Sequence, residues 1–355
     1  MKKKQLILGL VVLAALAGLV VWARERIHFD FGMFRAQVSM TDWRLIGAGV
    51  ACIYLGYVVR AARWALLLRP NKRVPVLSLV GSQVMGYTAV ALIGRVADPV
   101  RPYLVAKKTS LPISSQLAVY IVERLFDTGT IALIFSLAIL LAPAGTLPHP
   151  EIVKKAGYWG MALTIAGAAF LVLVRLSGGV VATLLEHSLG LLSKRMGQAV
   201  GNKIRAFHAG LDTMRSFSDF AYASSLSFGM WCLIALSYLL TMRAFVASPV
   251  LATMTIPKAV LVLAFSGTAS VLQLPILGWF TQIGLVAAAL TSFIGTSTEA
   301  ATACAAMLLV VTFLSIVPVG LIWAQFEHVS LRKVTAESEH VGDDQMISES
   351  PEPAE

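Results

Sequence analysis

Long apolar runs alternate with short polar connections along the chain, and the runs are too long and too uniform to be strands. Residues 5–23, 44–68, 116–142, 157–175, 219–245 and 302–325 each read as one mostly apolar run, of roughly the 20 residues that a helix needs to cross bilayer hydrocarbon. A stretch such as "LILGLVVLAALAGLVVWA" has no period of two, which excludes a membrane barrel and leaves helices as the structures that satisfy their own backbone. Two further stretches, 74–93 and 257–295, are apolar but interrupted by glycine, proline and small polar residues. Each either crosses or dips in and returns, so the pattern predicts an all-α polytopic membrane protein of about 6–9 transmembrane helices, with two broken or re-entrant hairpin elements.

Residues 177–217 follow a different rhythm. Leu185, Leu189, Leu192, Met196, Val200, Ile204, Phe207, Leu211 and Met214 recur at three and four, while Lys194, Arg195, Lys203 and Arg205 take other angles. The pattern predicts amphipathic helices lying on the inner leaflet, with their cations near anionic lipid head groups. A helical hairpin packed on the bundle would share that pattern. From Val334 to Glu355 there are seven acids and no Lys or Arg, which predicts a disordered acidic tail after a membrane domain spanning 1–333.

Composition agrees with this reading and narrows the partners. Of 355 residues 57% are apolar and 14% charged, with mean hydropathy +0.77. The formal charge of +10 could suggest nucleic acid, but the basic residues sit in short connections and not in one stripe, as the positive-inside rule expects. Lys2 to Lys4 precede the first run with no small-residue cleavage site after it, so that run reads as a retained anchor. Arg69, Lys72, Arg73, Lys107, Lys108, the 175–215 set and Arg332-Lys333 then fall in the cytoplasm. Arg24, Arg26, Arg35, Arg44, Lys154, Lys155, Arg243 and Lys258 fall outside, partly offset by Glu25, Asp30, Asp42 and Glu151. The expectation is a multi-pass protein of the cell inner (plasma) membrane with cytoplasmic N- and C-termini. Cys52, Cys232 and Cys304 lie in separate apolar runs without paired spacing, which points to neither disulfides nor zinc.

Ionisable groups inside apolar runs are costly and mark candidate sites. "YVVRAARWALLLRP" sets Arg60 and Arg63 one turn apart, with Trp64 four residues after Arg60. Long arginine stems could equally snorkel to the interface, with Trp64 in the aromatic belt. "AVYIVERLFDTGTIALIF" puts Glu123 and Asp127 on one helical face with Arg124 beside them, and two such carboxylates need cations from elsewhere. "GRVADPVRPYLVAKK" offers Arg95 and Arg101 around Asp98. Pro99 and Pro102 are expected to deny it a continuous helix, holding Val100-Arg101 extended or in a turn where a guanidinium fork can meet a phosphate. A plain cytoplasmic loop obeying the positive-inside rule is the alternative. If these segments converge, Arg60, Arg63, Arg95, Arg101 and Arg124 outnumber Asp98, Glu123 and Asp127 by two. The interrupted stretches "GSQVMGYTAVALIGRVADP" and "SGTASVLQLPILGWFTQIG" form a pair of the kind that frames a transporter's substrate site, or close-packed helices rich in small residues.

At these residues the chain resembles the lysylphosphatidylglycerol synthase transmembrane-region family, flippase-like proteins also found as the membrane half of lipid-aminoacylating enzymes. The matching elements are "RAARW", "GRVADPVRPYL" for the family's P-x-R-x-G-E-x-x-R, "VERLFD", and "QLPILGWFTQ" for a Pro-Gly-Gly-Gly-x-x-Glu-like element, in matching order from about 40 to 325. Departures are Ile93 at the proline position, Ala97-Asp98 for Gly-Glu, Ile276-Leu277 for glycines, and Gln282 at the acidic position. No counterpart of the family's soluble aminoacyl-transferase domain follows residue 333. The resemblance implies lipid translocation or handling, not aminoacylation, with Gln273, Pro275 and Gln282 joining the arginines and acids as substrate-binding candidates.

Three function classes compete. A translocase would hold an anionic, phosphate-bearing head group, from a membrane phospholipid or lipid-linked intermediate, in an Arg-lined cavity. With no P-loop and no metal or cofactor pattern, its cycle is expected to be passive or ion-coupled, without a cofactor. A lipid-modifying enzyme would need His or clustered acids at the membrane face, yet His28, His149, His187, His208, His328 and His340 all lie outside the predicted spans. A non-catalytic scaffold would use the basic 177–217 region. Homo-oligomerisation is compatible with all three.

Overall fold

The computed structural model describes residues 30–143, 145, 150–190, 193–194, 197–198, 200–202, 217–271 and 277–327. The predicted run 5–23, Gln273 and Pro275, the 203–216 part of the basic stretch and the tail 334–355 lie outside them. Asp30 accepts from the Gly32 and Met33 N–H groups and starts helix α1 (Phe31–Ser39), and Asp42 accepts from Arg44 N–H and starts α2 (Trp43–Leu68). There follow α3 (Val76–Ile93), α4 (Val100–Thr109), α5 (Ile113–Leu140), α6 (Pro150–Gly190), α7 (Phe217–Arg243), the short α8 (Pro249–Ala252), α9 (Ile256–Val271), α10 (Leu277–Ala289), α11 (Thr298–Leu309) and α12 (Ile316–Phe326). Among the described residues all regular structure is helical, and the chain is an all-α polytopic membrane protein.

Contacts distinguish two ends of the bundle. At one, Lys72 Nζ donates to Thr109 O (2.8 Å) and Lys108 pairs with Glu327 (2.6 Å), gathering the ends of α2, α4 and α12 with the start of α3. At the other, Asp42 N–H donates to Ala244 O (2.8 Å) and Arg243 Nε to Met254 O (2.8 Å), gathering the start of α2, the end of α7 and the start of α9. The helices Trp43–Leu68, Val76–Ile93, Ser218–Arg243 and Thr298–Phe326 are long and apolar enough to cross a membrane. At 28 residues α5 is about 42 Å long and also suffices by length, although Glu123, Arg124 and Asp127 dilute its hydropathy.

The stretch read as irregular, 74–93, is regular. Its glycines serve close packing, Gly81 against Trp323 and Gly86 against Arg101, and the interruption falls just after it. Gly94 ends α3 at φ +90°, a conformation that favours glycine, and a 3-10 turn over Arg95–Ala97 reverses the chain. The expected extended Val100-Arg101 is also corrected, because both residues are helical. Pro99 precedes α4 and Pro102 is its third residue, positions in the first turn where a missing N–H has no intrahelical partner to lose. Helix α4 returns beside α3 to the Lys72 end, so residues 76–109 form a hairpin with Arg95, the exposed Val96 and Asp98 at its tip. A Cβ on Gly86 would sit 2.8 Å from Arg101 Cβ and 3.1 Å from its Cα. Gly86→Ala is therefore expected to push α4 off α3 and cost about 1–3 kcal/mol, read as a lower melting temperature in detergent; an unchanged value would contradict this packing.

The second interrupted stretch makes an opposite hairpin. Helix α9 leaves the Arg243 end, and α10, extended by a π-helical turn over Leu290–Ile294, returns to it. From the first turn of α10 Trp279 Nε1 donates to Ala91 O at 3.0 Å. That carbonyl lies in the last turn of α3, where helix geometry leaves it without an intrahelical donor. The two helix pairs thus come in from opposite ends and touch where α3 ends and α10 begins.

Two long helices carry breaks. Ser177 (φ −142°, ψ 38°) interrupts α6 where the predicted span 157–175 gives way to the amphipathic stretch. Pro318 lacks the N–H that would bond Leu314, and a π-helical turn over Val310–Leu314 precedes it. Carbonyls beyond this wide turn accept from other helices, Ser315 O from Tyr54 (2.9 Å) and Ile316 O from Thr88 (3.3 Å).

Candidate functional site

Arg60 and Arg63 lie on the face of α2 that meets α5, and neither snorkels. Arg63 and Trp64 are 1% exposed and Arg60 8%. The i, i+4 spacing of Glu123 and Asp127 turns both carboxylates toward α2, where Arg63 bridges them with one nitrogen each, 2.6 Å to Glu123 Oε1 and 2.6 Å to Asp127 Oδ1. Arg101, projected from the first turn of α4, reaches Glu123 Oε2 at 2.9 Å. Arg124 reaches Asp127 Oδ2 at 3.0 Å, whereas Arg60 stands farther off, 3.4 Å from Glu123 and 3.6 Å from Asp127. Four guanidiniums from three helices, Arg124 partly exposed and the other three buried, therefore surround two carboxylates, leaving a surplus of two positive charges.

Neutral groups hold this cluster in shape. The Tyr87 hydroxyl accepts from Arg60, Arg101 (3.1 Å) and Arg124 (3.2 Å). The Arg101 guanidinium lies 4.9 to 5.1 Å from the ring centres of Trp64, Tyr87 and Tyr120, an aromatic box that stabilises a desolvated cation. Gln83 accepts from Arg101 (3.3 Å), Ser227 accepts from Arg63, and Trp231 donates to Asp127 (3.3 Å). Trp64 in turn donates to Gln116 (3.1 Å). None of Tyr87, Tyr120, Ser227 and Trp231 is singled out by the sequence, and Gln83 enters there only as a polar interruption of its apolar stretch. The i, i+4 pairs Gln83–Tyr87 and Tyr120–Arg124 were the available signal, since each puts a polar group on one face of an otherwise apolar helix.

A cavity of about 180 Å³ opens beside the cluster, with room for about six waters. Arg60, Arg95, Arg124, Asp98 and Asp127 line one side; Tyr238, Ser266, Gly267 and Thr312, from α7, α9 and the π-helical turn, line the other. Arg63 and Arg101 do not reach its wall. Arg95 and Asp98 pair with each other at 3.7 Å on the more exposed rim. Gln282 stands away from the arginines, donating to Ser266 Oγ at 3.0 Å. A wider cleft of about 850 Å³ at the Lys72 end, lined by Arg69, Arg73 and Asp219, is bordered by none of the buried charges. Among the described residues no three His, Cys, Asp or Glu side chains gather as a metal site would require.

The charged cluster thus joins α2, α4 and α5, and the family model for the lysylphosphatidylglycerol synthase TM region matches residues 6–320. The chain belongs to that family. No curated protein and no solved structure gives a significant match. All four motif segments lie within the family match. "RAARW", "GRVADPVRPYL" and "VERLFD" meet at the cluster, while "QLPILGWFTQ" contributes Trp279 at the hairpin contact and Gln282 behind the far wall of the cavity.

Proposed function

We propose that the protein translocates a lipid with an anionic, phosphate-bearing head group, which passes through the cavity between the hairpins while its acyl chains stay in lipid. The observation that carries this is the uncompensated double positive charge next to a cavity framed by hairpins from opposite ends. A bare phosphate in hydrocarbon costs on the order of tens of kcal/mol, and fixed cations in a wet cavity offset much of that barrier.

The arginines divide the work. Arg60 and Arg124, on the cavity wall, meet the phosphate, with Arg95 at the rim. Arg63 and Arg101 anchor Glu123 and Asp127, which keep the wall cations in place and balance part of their charge when the site is empty. The Lys72 end, where Arg69, Lys72, Arg73, Lys107 and Lys108 gather, faces the cytoplasm of the cell's inner membrane.

The test is full-length protein in vesicles containing phosphatidylglycerol fluorescently labelled on an acyl chain, with a membrane-impermeant quencher outside. The inner-leaflet fluorescence is expected to become quenchable at a rate that rises with the amount of protein. Vesicles that protect their inner leaflet as well as protein-free ones overturn the proposal, and a chemically altered lipid would favour an enzyme.

A further inference from the structure

The cleft of about 850 Å³ at the Lys72 end lies between α2 and α7 and changes character with depth. Arg69, Arg73 and Asp219 stand at its rim, and deeper, over about 10 Å of each helix, its walls are Ala62, Ala65, Leu66 and Leu226. Both helices are long and apolar enough to cross the membrane, so the charged rim sits at one membrane surface and the apolar floor points into hydrocarbon. Tyr222, 65% exposed, stands between the two levels, where an aromatic belt forms.

The rim has positive charge to spare. Arg69 and Arg73 are exposed, and neither side chain has an ion pair or hydrogen bond among the described residues. Asp219 pairs with neither and is engaged by another interaction. The cleft is also cut off from the buried cluster, because at about 100° per residue Ala62, Ala65, Leu66 and Arg69 lie on the side of α2 away from Arg60, Arg63 and Trp64. An occupant here does not reach the cavity between the hairpins. A soluble anion would leave the apolar floor unused, and the chain's own stretch 203–216 carries Lys203, Arg205 and Arg215 against Asp212, a charge that the two arginines repel.

We infer that this cleft holds one resident anionic phospholipid, which is not transported: its phosphate lies between Arg69 and Arg73, and the upper part of its acyl chains lies along α2 and α7. The site does not depend on the translocation reading, and binding alone tests it. Full-length protein, stripped of lipid in detergent, is titrated with dioleoyl phosphatidylglycerol or dioleoyl phosphatidylcholine. Lipid adducts are measured by native mass spectrometry, with lipid-free melting temperatures as the check on folding.

Arg69→Gln with Arg73→Gln is expected to weaken one phosphatidylglycerol adduct about tenfold and to leave phosphatidylcholine binding unchanged. Ala62→Trp fills the floor while keeping both arginines and is expected to weaken the same adduct, which diffuse attraction to a basic surface would not do. Arg60→Ala, on the other face of α2, is expected to keep it. Unchanged phosphatidylglycerol affinity in the double arginine variant, no such adduct on wild type because another part of the chain fills the cleft, or its displacement by soluble glycerophosphate overturns the site. A protein that binds this lipid but moves none in vesicles overturns translocation alone.

Discussion

Glu123→Ala is expected to lower folding stability by about 3–5 kcal/mol, the cost of leaving buried charges without their partner. The residue is 1% exposed and is shared by Arg60, Arg63 and Arg101, so it ties α2 and the hairpin helix α4 to α5 through one carboxylate. Without it four guanidiniums would face Asp127 alone, and the surplus would rise from two charges to three. The aromatic box around Arg101 and the Tyr87 hydroxyl cannot compensate, because they lend partial charge and not a full negative one. Glu123→Gln keeps the side chain's volume and one acceptor, and is expected to fall between wild type and Ala. Thermal unfolding of the purified protein in detergent checks the order. If Glu123→Ala melts with wild type, the cluster does not hold the helices together.

Much of this arrangement could be read from residue order, and the part that could not has an identifiable cause. Apolar runs located the long helices to within a few residues, since burial in lipid makes hydropathy a local property: 44–68 against Trp43–Leu68, and 302–325 within Thr298–Phe326. Glu123 and Asp127 declared a shared face by spacing alone, and the charge surplus followed from composition. What spacing does not encode is which segments meet. The prolines of "ADPVRP" read as helix breakers, whereas their register places Pro99 at the cap just before α4 and Pro102 in its first turn, so the same residues start a helix instead. Tyr87 sits within a run of small residues whose glycines drew attention to packing, and its role emerges only when α2, α4 and α5 bring three arginines to one hydroxyl. The opposite directions of the hairpins likewise depend on where their ends dock, which is tertiary information.

Arg60→Ala is expected to separate transport from folding, because of all the clustered guanidiniums Arg60 has the longest contacts to the carboxylates. At 3.4 and 3.6 Å its ion pairs are weak beside the two 2.6 Å pairs of Arg63, and it lies on the cavity wall, which Arg63 does not. Its removal leaves Glu123 and Asp127 served by Arg63, Arg101 and Arg124, so the fold is expected to persist. A phosphate in the cavity would lose one of its charged donors and half of the surplus charge. Truncating one side of such a buried contact costs about 2–5 kcal/mol, equivalent to a transport rate at least about thirtyfold lower. Arg60→Lys retains the charge but not the planar fork, and is expected to recover part of the rate. Arg63→Ala should behave in the opposite way, losing the fold before any transport can be measured. A normal rate in Arg60→Ala, together with a normal melting temperature in Arg63→Ala, would mean that the phosphate is held elsewhere and that these arginines do not divide the work between cavity wall and scaffold.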